Sequence, residues 1–235
     1  MHVLPTTLAG NPNIGLFGFC TDRYCLISSQ VSPQDKKEFS TILNVPLIEL
    51  TIAGTDLLGV FLAGNKKSLL IPNITFPHER NILKTHNIPF TVIESHLTCL
   101  GNTIVANDKG AIISPEFPEE TQRAIAAALN VPVKQTTIAS LPTPGSLIAT
   151  NKKYGLISPD ATAEERDIIT KTLGITLTEG TVNMGNPYIR SGILCNSKGF
   201  LIGNNSGGPE IVNADEALGF TNQENHPETN NEHPA

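Results

Sequence analysis

The sequence contains no tryptophan, and aromatic residues make up only 5% of it. Its hydrophobic fraction of 39% comes mainly from Ile, Leu, Val and Ala, which suits a thin α/β core of many short elements. No stretch approaches the roughly 20 apolar residues that a membrane-spanning helix needs. Residues Met1–Gly10 lack the basic start and apolar run of a signal peptide. We therefore expect a protein that stays in the cytoplasm, where it is made.

Cysteine is also scarce. Four cysteines in 235 residues are too few for a disulfide scaffold. Cys20 and Cys25 are five residues apart, while Cys99 and Cys195 stand alone. A zinc site would need two close pairs, or one pair with nearby histidines. We expect reduced cysteines packed as small apolar side chains, with no metal and no cofactor.

Basic residues are outnumbered, since 16 Lys and Arg stand against 22 Asp and Glu, a net charge of −6. The basic residues are spread along the chain, whereas a protein that wraps phosphates needs them clustered. The composition therefore disfavours a general nucleic-acid binder. An acidic surface is better matched to a basic protein partner, with little direct contact with RNA.

An internal repeat is the strongest signal in the sequence. The segment GNTIVANDKGAIISP, which begins at Gly101, aligns with GSLIATNKKYGLISP, which begins at Gly145. Leu43–Pro46 and Leu129–Pro132 are identical, and two periods of 43 residues separate them. Asn or Gly tolerates the left-handed cap that ends a helix, and the following Pro leads into a strand.

Each repeat predicts two strands, a helix and a third strand. The predicted helix starts carry capping signals: Ser32-Pro33, Pro118-Glu119, and a capping box at Thr162–Glu165. The second strands recur at intervals of 43 to 45 residues, as Leu26-Ile27, Leu69–Ile71, Ala111–Ile113, Gly155–Ile157 and Phe200–Ile202. The sequence therefore predicts an α/β fold of five ββαβ modules.

The two ends of the chain complement each other. Thr6–Gly10 resembles Thr51–Gly54 but has no helix before it, and the fifth module has no strand after its helix. We therefore expect the N-terminal strand to complete the fifth module and close a ring. The expected single domain, 1–220, has modules at about 14–53, 54–96, 97–140, 141–183 and 184–220 plus the closing strand 2–9. Residues 221–235 lack large aliphatic side chains and are expected to form a disordered polar tail.

Three motifs carry a family resemblance. GNPNIG at Gly10–Gly15, LGNTIVANDKGAIISP at Leu100–Pro115 and GTVNMGNPYIRSG at Gly180–Gly192 resemble the archaeal and eukaryotic translation initiation factor 6 family. The resemblance covers nearly the whole chain and favours an archaeal member. It implies the pentein fold, in which five quasi-equivalent modules surround a pseudo-fivefold axis.

The resemblance also implies a function. Members of that family bind the intersubunit face of the large ribosomal subunit, mainly on ribosomal protein uL14 near the sarcin–ricin loop, and block joining of the small subunit. We therefore expect a monomeric, non-enzymatic factor that prevents subunit association and also acts in late maturation of the large subunit. Val60 follows Gly59 where eukaryotic members tend to have a basic residue, so this position lacks the charge for an electrostatic contact.

The turns that open the modules are the expected docking face. They are Gly10–Gly15, Ala53–Gly59, Leu97–Asn102, Leu141–Ser146 and Met184–Gly192, and they hold few charges. By resemblance, the candidate contacts are Asn13, Gly15, Asn102, Asn183, Gly185 and Tyr188, with Tyr188 as the anchor. The alternative is that Gly and Asn only satisfy turn geometry, and that Tyr188 caps the module core.

Two other functions remain open at this stage. Other penteins are hydrolases and transferases of guanidino groups, with a Cys nucleophile and a His. Cys195 lies in an apolar strand, where burial raises the pKa of a thiol, and His96 and Cys99 would point to opposite faces of a strand. The second alternative is an assembly component that binds only precursors of the large subunit, which the sequence does not separate from an anti-association factor.

Overall fold

The computed structural model describes residues 1–221, in which five three-stranded sheets alternate with five long helices. The first strands are β2 (Gly18–Cys20), β5 (Ala63–Gly64), β8 (Ile104–Ala106), β11 (Ile148–Thr150) and β14 (Ile193–Cys195). The second strands are β3 (Cys25–Ile27), β6 (Leu69–Pro72), β9 (Ala111–Ile113), β12 (Tyr154–Ile157) and β15 (Phe200–Gly203). The third strands are β4 (Leu47–Glu49), β7 (Phe90–Ile93), β10 (Val133–Gln135), β13 (Thr176–Glu179) and β1 (Val3–Thr6).

In every sheet the second strand is central. It runs antiparallel to the first strand and parallel to the third. One end of the ring, the hairpin end, therefore carries the turns 21–24, 65–68, 107–110, 151–154 and 196–199. The opposite end, the turn face, carries the loops 7–13, 51–57, 94–99, 137–143 and 181–188.

The long helices follow the second strands, and the three with predicted capping signals begin at those signals. They are α1 (Pro33–Leu43), α2 (Pro77–Thr85), α3 (Glu119–Leu129), α4 (Ala163–Leu173) and α5 (Gly208–Ala217). The Ser32 hydroxyl accepts a hydrogen bond from the Asp35 N–H at 3.1 Å. Thr162 and Glu165 form the predicted capping box. The helix ends at Asn44, Asn130 and Gly174 take the left-handed conformation, as a helix C-cap requires.

The N-terminal strand closes the ring, which confirms the predicted topology. β1 pairs in parallel with β15 over four residue pairs, from Val3–Phe200 to Thr6–Gly203. His2 reinforces the closure, because its Nε2 lies 2.6 Å from Asp215 Oδ1 and its ring stacks on Phe220 at 5.0 Å. The fold class is therefore the predicted α/β ring of five modules.

Five short helical turns, here called the axial turns, surround the centre of the ring. They are Ile14–Phe17, Leu58–Phe61, Leu100–Thr103, Pro144–Ser146 and Ile189–Gly192. Four of them carry Gly at their second position, and there the backbones of neighbouring turns meet. A Cβ atom at Gly101 would lie 2.1 Å from the Gly59 carbonyl oxygen, and one at Gly59 would lie 1.9 Å from the Gly15 carbonyl oxygen. Only glycine permits this approach.

Asparagine amides join the modules at the hairpin end. Each side-chain N–H₂ donates to the carbonyl at the end of the next module's helix, where intrahelical partners are lacking. The four bonds are Asn65 to Leu129 (3.0 Å), Asn107 to Leu173 (2.7 Å), Asn151 to Leu218 (2.8 Å) and Asn196 to Leu43 (2.8 Å). The first module has Thr21 at this position, and its hydroxyl donates to Tyr24 instead. A cleft of about 280 Å³ lies at this seam, between Tyr24 and His86.

The sequence also predicts that the chain has no membrane-spanning helix and that its last residues form a disordered tail. Within residues 1–221, no helix is both long and apolar enough to cross a bilayer. Residues 222–235, which form nearly all of the expected tail 221–235, lie outside the described residues.

Deleting residues 1–9 should destabilise the whole domain, because β15 loses its parallel partner and the His2 contacts disappear. We expect the free energy of unfolding to fall by about 3 kcal/mol or more, from several lost hydrogen bonds and apolar contacts. Urea unfolding of the truncated and full chains measures this. Equal unfolding midpoints would refute closure by β1.

Gly101→Ala should lower the free energy of unfolding by about 2 kcal/mol or more, because the new methyl group overlaps the Gly59 carbonyl. Gly208→Ala is the matched control, since a Cβ there meets no atom within 4 Å. Thermal melting of both variants provides the comparison. If they melt alike, the axial turns are not closely packed.

Candidate functional site: the turn face

The turn face is built from tight turns with left-handed backbones. Ala53 and Gly54 have φ of 53° and 73°, and Ile52 and Thr55 on either side of them pair as an isolated bridge. Two successive positive φ values are typical of the two-residue turn that reverses a hairpin. Similar bridges join Leu8 to Asn11, Ile138 to Leu141 and Val182 to Asn186. The sequence pattern Ala-Gly or Asn-Met-Gly thus produces short, conformationally restricted turns.

Three helix-capping glutamates hold these turns in place. Glu79 accepts hydrogen bonds from the Thr51 hydroxyl at 2.7 Å and from the Ala53 and Gly54 N–H groups at 2.9 Å. The same carboxylate accepts the Phe76 N–H at the start of α2. One side chain therefore caps its own helix and fixes the preceding module's turn.

Glu165 and Glu210 repeat this arrangement. Glu165 binds the Thr137 hydroxyl at 2.6 Å and the Ala139 and Ser140 N–H groups. Glu210 binds the Thr181 hydroxyl at 2.7 Å and the Met184 and Gly185 N–H groups at 3.1 and 2.9 Å. Burial alone would raise the pKa of both carboxyls, but these hydrogen bonds outweigh it and lower both pKa values.

Several apolar side chains on the turn face are exposed to solvent. Met184 is 83% exposed, Tyr188 45% and Leu141 37%. Phe76, at the start of α2, is 45% exposed and lies against Gly54. The five loops contain no Lys or Arg. The face combines apolar groups and turn amides with little charge, which is the composition of a protein-docking surface.

Two of the predicted contact residues are brought together by the ring closure. The Asn183 side chain donates to the Pro12 carbonyl at 3.1 Å and lies 3.4 Å from Asn13 Oδ1. The Ser191 hydroxyl also donates to Asn13 Oδ1, at 3.3 Å. Asn183 itself has φ of 49°. Both asparagines are partly buried and tie the loop 181–188 to the loop 7–13.

The other four candidates differ in exposure. Gly15 is buried on the axis, where a Cβ would lie 2.0 Å from the Arg190 carbonyl oxygen. Gly185 is exposed, with φ of 87° and no atom near a Cβ. Asn102 is partly buried in an axial turn. Tyr188 projects from the face, and only its backbone N–H and carbonyl form hydrogen bonds within residues 1–221.

The thiols do not form a catalytic site among the described residues. Cys195 lines an open channel along the axis of the ring. Its thiol donates a hydrogen bond to the Thr150 carbonyl at 3.4 Å. Burial raises its pKa to about 12 and raises the pKa of Cys20 as well, so both are protonated at neutral pH. In residues 1–221 no thiol forms a hydrogen bond with a histidine, and no cluster of three metal-binding side chains is found.

Comparison with known proteins defines the class. The eIF-6 family matches residues 3–217. Translation initiation factor 6 of Thermococcus gammatolerans is 36% identical over 226 residues, covering 94% of this chain and 99% of the relative. The factor 6 proteins of Saccharolobus islandicus and Natronomonas pharaonis are each 34% identical, covering 93% of this chain and 100% and 99% of those proteins. A crystal structure of a dimethylarginine dimethylaminohydrolase adduct matches at a TM-score of 0.46 and 16% identity, covering 71% and 69% of the two chains.

The five-module ring and the factor 6 relatives define a pentein that is a translation factor and not an enzyme. The chain belongs to the eIF-6 family, as the resemblance of its motifs predicts, and the relatives named here are archaeal. The guanidino-hydrolase alternative is not carried further, because the relatives that cover nearly the whole chain are translation initiation factors.

Replacing Glu165 with Gln should lower the free energy of unfolding by about 2 kcal/mol at pH 7, because the amide N–H₂ faces backbone donors. A carboxylate whose pKa falls on folding stabilises the protein above its unfolded pKa of about 4.3. That contribution is lost as the pH falls through the folded pKa. The loss in the free energy of unfolding caused by Glu165→Gln should therefore be largest at neutral pH and become smaller below about pH 4.

Urea unfolding over a pH series measures this deficit. The control is Glu164→Gln, at an exposed neighbouring position, which should change stability only slightly at any pH. A deficit for Glu165→Gln that does not depend on pH would contradict the role assigned to the ionised carboxylate.

Proposed function

We propose that the chain binds the intersubunit face of the large ribosomal subunit and sterically prevents the small subunit from joining. The chief contact is ribosomal protein uL14 near the sarcin–ricin loop, and the factor acts as a monomer in the cytoplasm. Late maturation of the large subunit is a second role of the same binding. Membership of the eIF-6 family carries the proposal.

The turn face is the docking surface in this proposal. It offers exposed Met184, Tyr188 and Leu141 without lysine or arginine, so contacts there depend on apolar burial and shape. Glu79, Glu165 and Glu210 hold three of its turns before any partner arrives. Little loop entropy is then lost on binding, which favours affinity.

The six predicted residues have different roles in this docking. Tyr188 is the anchor, because its ring is large and projects from the face. Asn13 and Asn102 supply polar contacts to the partner. Gly15, Asn183 and Gly185 shape the turns, since their backbone conformation or close packing accounts for the residue type.

Co-sedimentation tests the proposal. The purified chain is mixed with separated archaeal ribosomal subunits and centrifuged through a sucrose gradient. We expect it to travel with the large subunit alone and to reduce 70S formation when small subunits are added. Binding only to precursor particles would favour a pure assembly role, and a chain that stays at the top of the gradient would overturn the proposal.

Tyr188→Asp should weaken binding to the large subunit by about tenfold or more, as expected for the loss of an interface anchor, while leaving the melting temperature nearly unchanged. Val212→Asp is the matched control, because Val212 is 58% exposed on α5, outside the five loops of the turn face. Gradient binding and thermal melting of both variants are compared. If Tyr188→Asp melts at a much lower temperature than Val212→Asp, the ring belongs to the core.

A further inference from the structure

The hairpin end surrounds an open channel of about 570 Å³. All five modules contribute to its lining through their first strands and hairpin turns. The volume is typical of pockets that bind small organic molecules. This channel opens at the end of the ring opposite the turn face, so its occupation is separate from the proposed docking.

Basic residues line the mouth of the channel at a constant sequence interval. Arg23, Lys66, Lys109 and Lys152 follow one another at 43 residues and all line the cavity. The five hairpin turns together hold seven basic residues and two acidic ones. Residues spread along the sequence are therefore gathered at one end of the ring.

The two acidic residues of the lining are already engaged. Asp22 accepts the Ser197 N–H at 2.8 Å and its hydroxyl at 2.9 Å. Asp108 accepts the Lys66 N–H at 3.1 Å and lies 3.5 Å from its ammonium group. With five basic and two acidic side chains, the lining has a net charge of +3. Residues 1–221 as a whole, with 19 acidic and 16 basic residues, have a net charge of −3.

Arg190 closes the inner end of the channel. It occupies the axial-turn position at which the other four modules have Gly15, Gly59, Gly101 and Gly145, and it is the one lining residue in an axial turn. Within residues 1–221, no carboxylate lies within 4 Å of its guanidinium group and that group forms no hydrogen bond. Its contact is with the Phe19 ring, at 5.9 Å from the centroid.

We propose that this channel binds a small organic phosphate of about mononucleotide size. A phosphate group reaches Arg190, whose planar guanidinium can form paired hydrogen bonds with it. Lys66, Lys109 and Lys152 neutralise the remaining negative charge at the mouth. Apolar side chains such as Phe19 and Val105 contact the organic part. A small ligand fits better than a nucleic-acid duplex, because the channel has a volume of only about 570 Å³.

Isothermal titration calorimetry with the full chain, at about 0.1 M ionic strength and without divalent cations, tests this site with two ligands: ATP and inorganic pyrophosphate. We expect saturable binding of both at submillimolar concentration. Arg190→Gln should weaken it by about tenfold or more, the loss expected for charged hydrogen bonds. Arg190→Gly, which gives the fifth module the residue of the other four, should fold normally and bind equally weakly.

Neighbouring lysines provide matched controls. Lys152 lines the channel and Lys153 does not, although both lie in one turn. Lys152→Gln should weaken binding, and Lys153→Gln should leave the dissociation constant within about twofold, the effect of a distant screened charge. If both substitutions raise the dissociation constant equally, the ligand responds only to the overall positive potential of this surface, and the proposal is overturned.

Two further outcomes would also overturn the site. One is the absence of measurable binding of ATP and pyrophosphate at millimolar concentration. The other is binding of an RNA oligonucleotide that Arg190→Gln leaves unchanged, which would assign the hairpin end to RNA. Co-sedimentation of Arg190→Gln with the large subunit is measured in parallel and should equal wild type, so a failure here is distinguishable from a failure of the proposed function.

Discussion

Direct contact between backbones at the axis is the constraint on which the rest of the ring depends. A Cβ at Gly15, Gly59, Gly101 or Gly145 would lie 1.9 to 2.2 Å from a carbonyl oxygen of a neighbouring axial turn. The modules can therefore approach until their axial turns touch, and the five sheets share one narrow centre. The fifth position, Arg190, departs from this rule, and its side chain extends into the channel.

The seams between modules are held by polar groups at both ends of the ring. At the turn face, Glu79, Glu165 and Glu210 each combine a helix cap with a turn from the preceding module. At the hairpin end, asparagine amides satisfy helix carbonyls of the next module, which would otherwise lack partners. Thr21 interrupts this second series, and the seam between the first and second modules holds a cleft there.

Much of this fold could be predicted from the sequence, because a repeated module shows its own periodicity. The spacing of the second strands, the caps at Ser32 and Thr162, and the closing strand all agree with the structure. The roles of the turn residues could not be separated in the same way. Gly15 is buried because it meets Arg190, 175 residues away, and a local pattern does not reveal such a contact. The 43-residue spacing of Arg23, Lys66, Lys109 and Lys152 equals the period of the modules. That spacing could therefore have predicted that these basic residues gather at the mouth of the channel.

The parallel pairing of β1 with β15 also has a consequence for how the chain is made. The first strand leaves the ribosome nearly 200 residues before its partner, which begins at Phe200. At about 5–20 residues per second, the nascent chain spends tens of seconds with that strand unpaired. The middle modules can form during this interval from contacts close in sequence. Ring closure is then a late event, reached only after β15 has been synthesised, and it converts a string of modules into one cooperative unit.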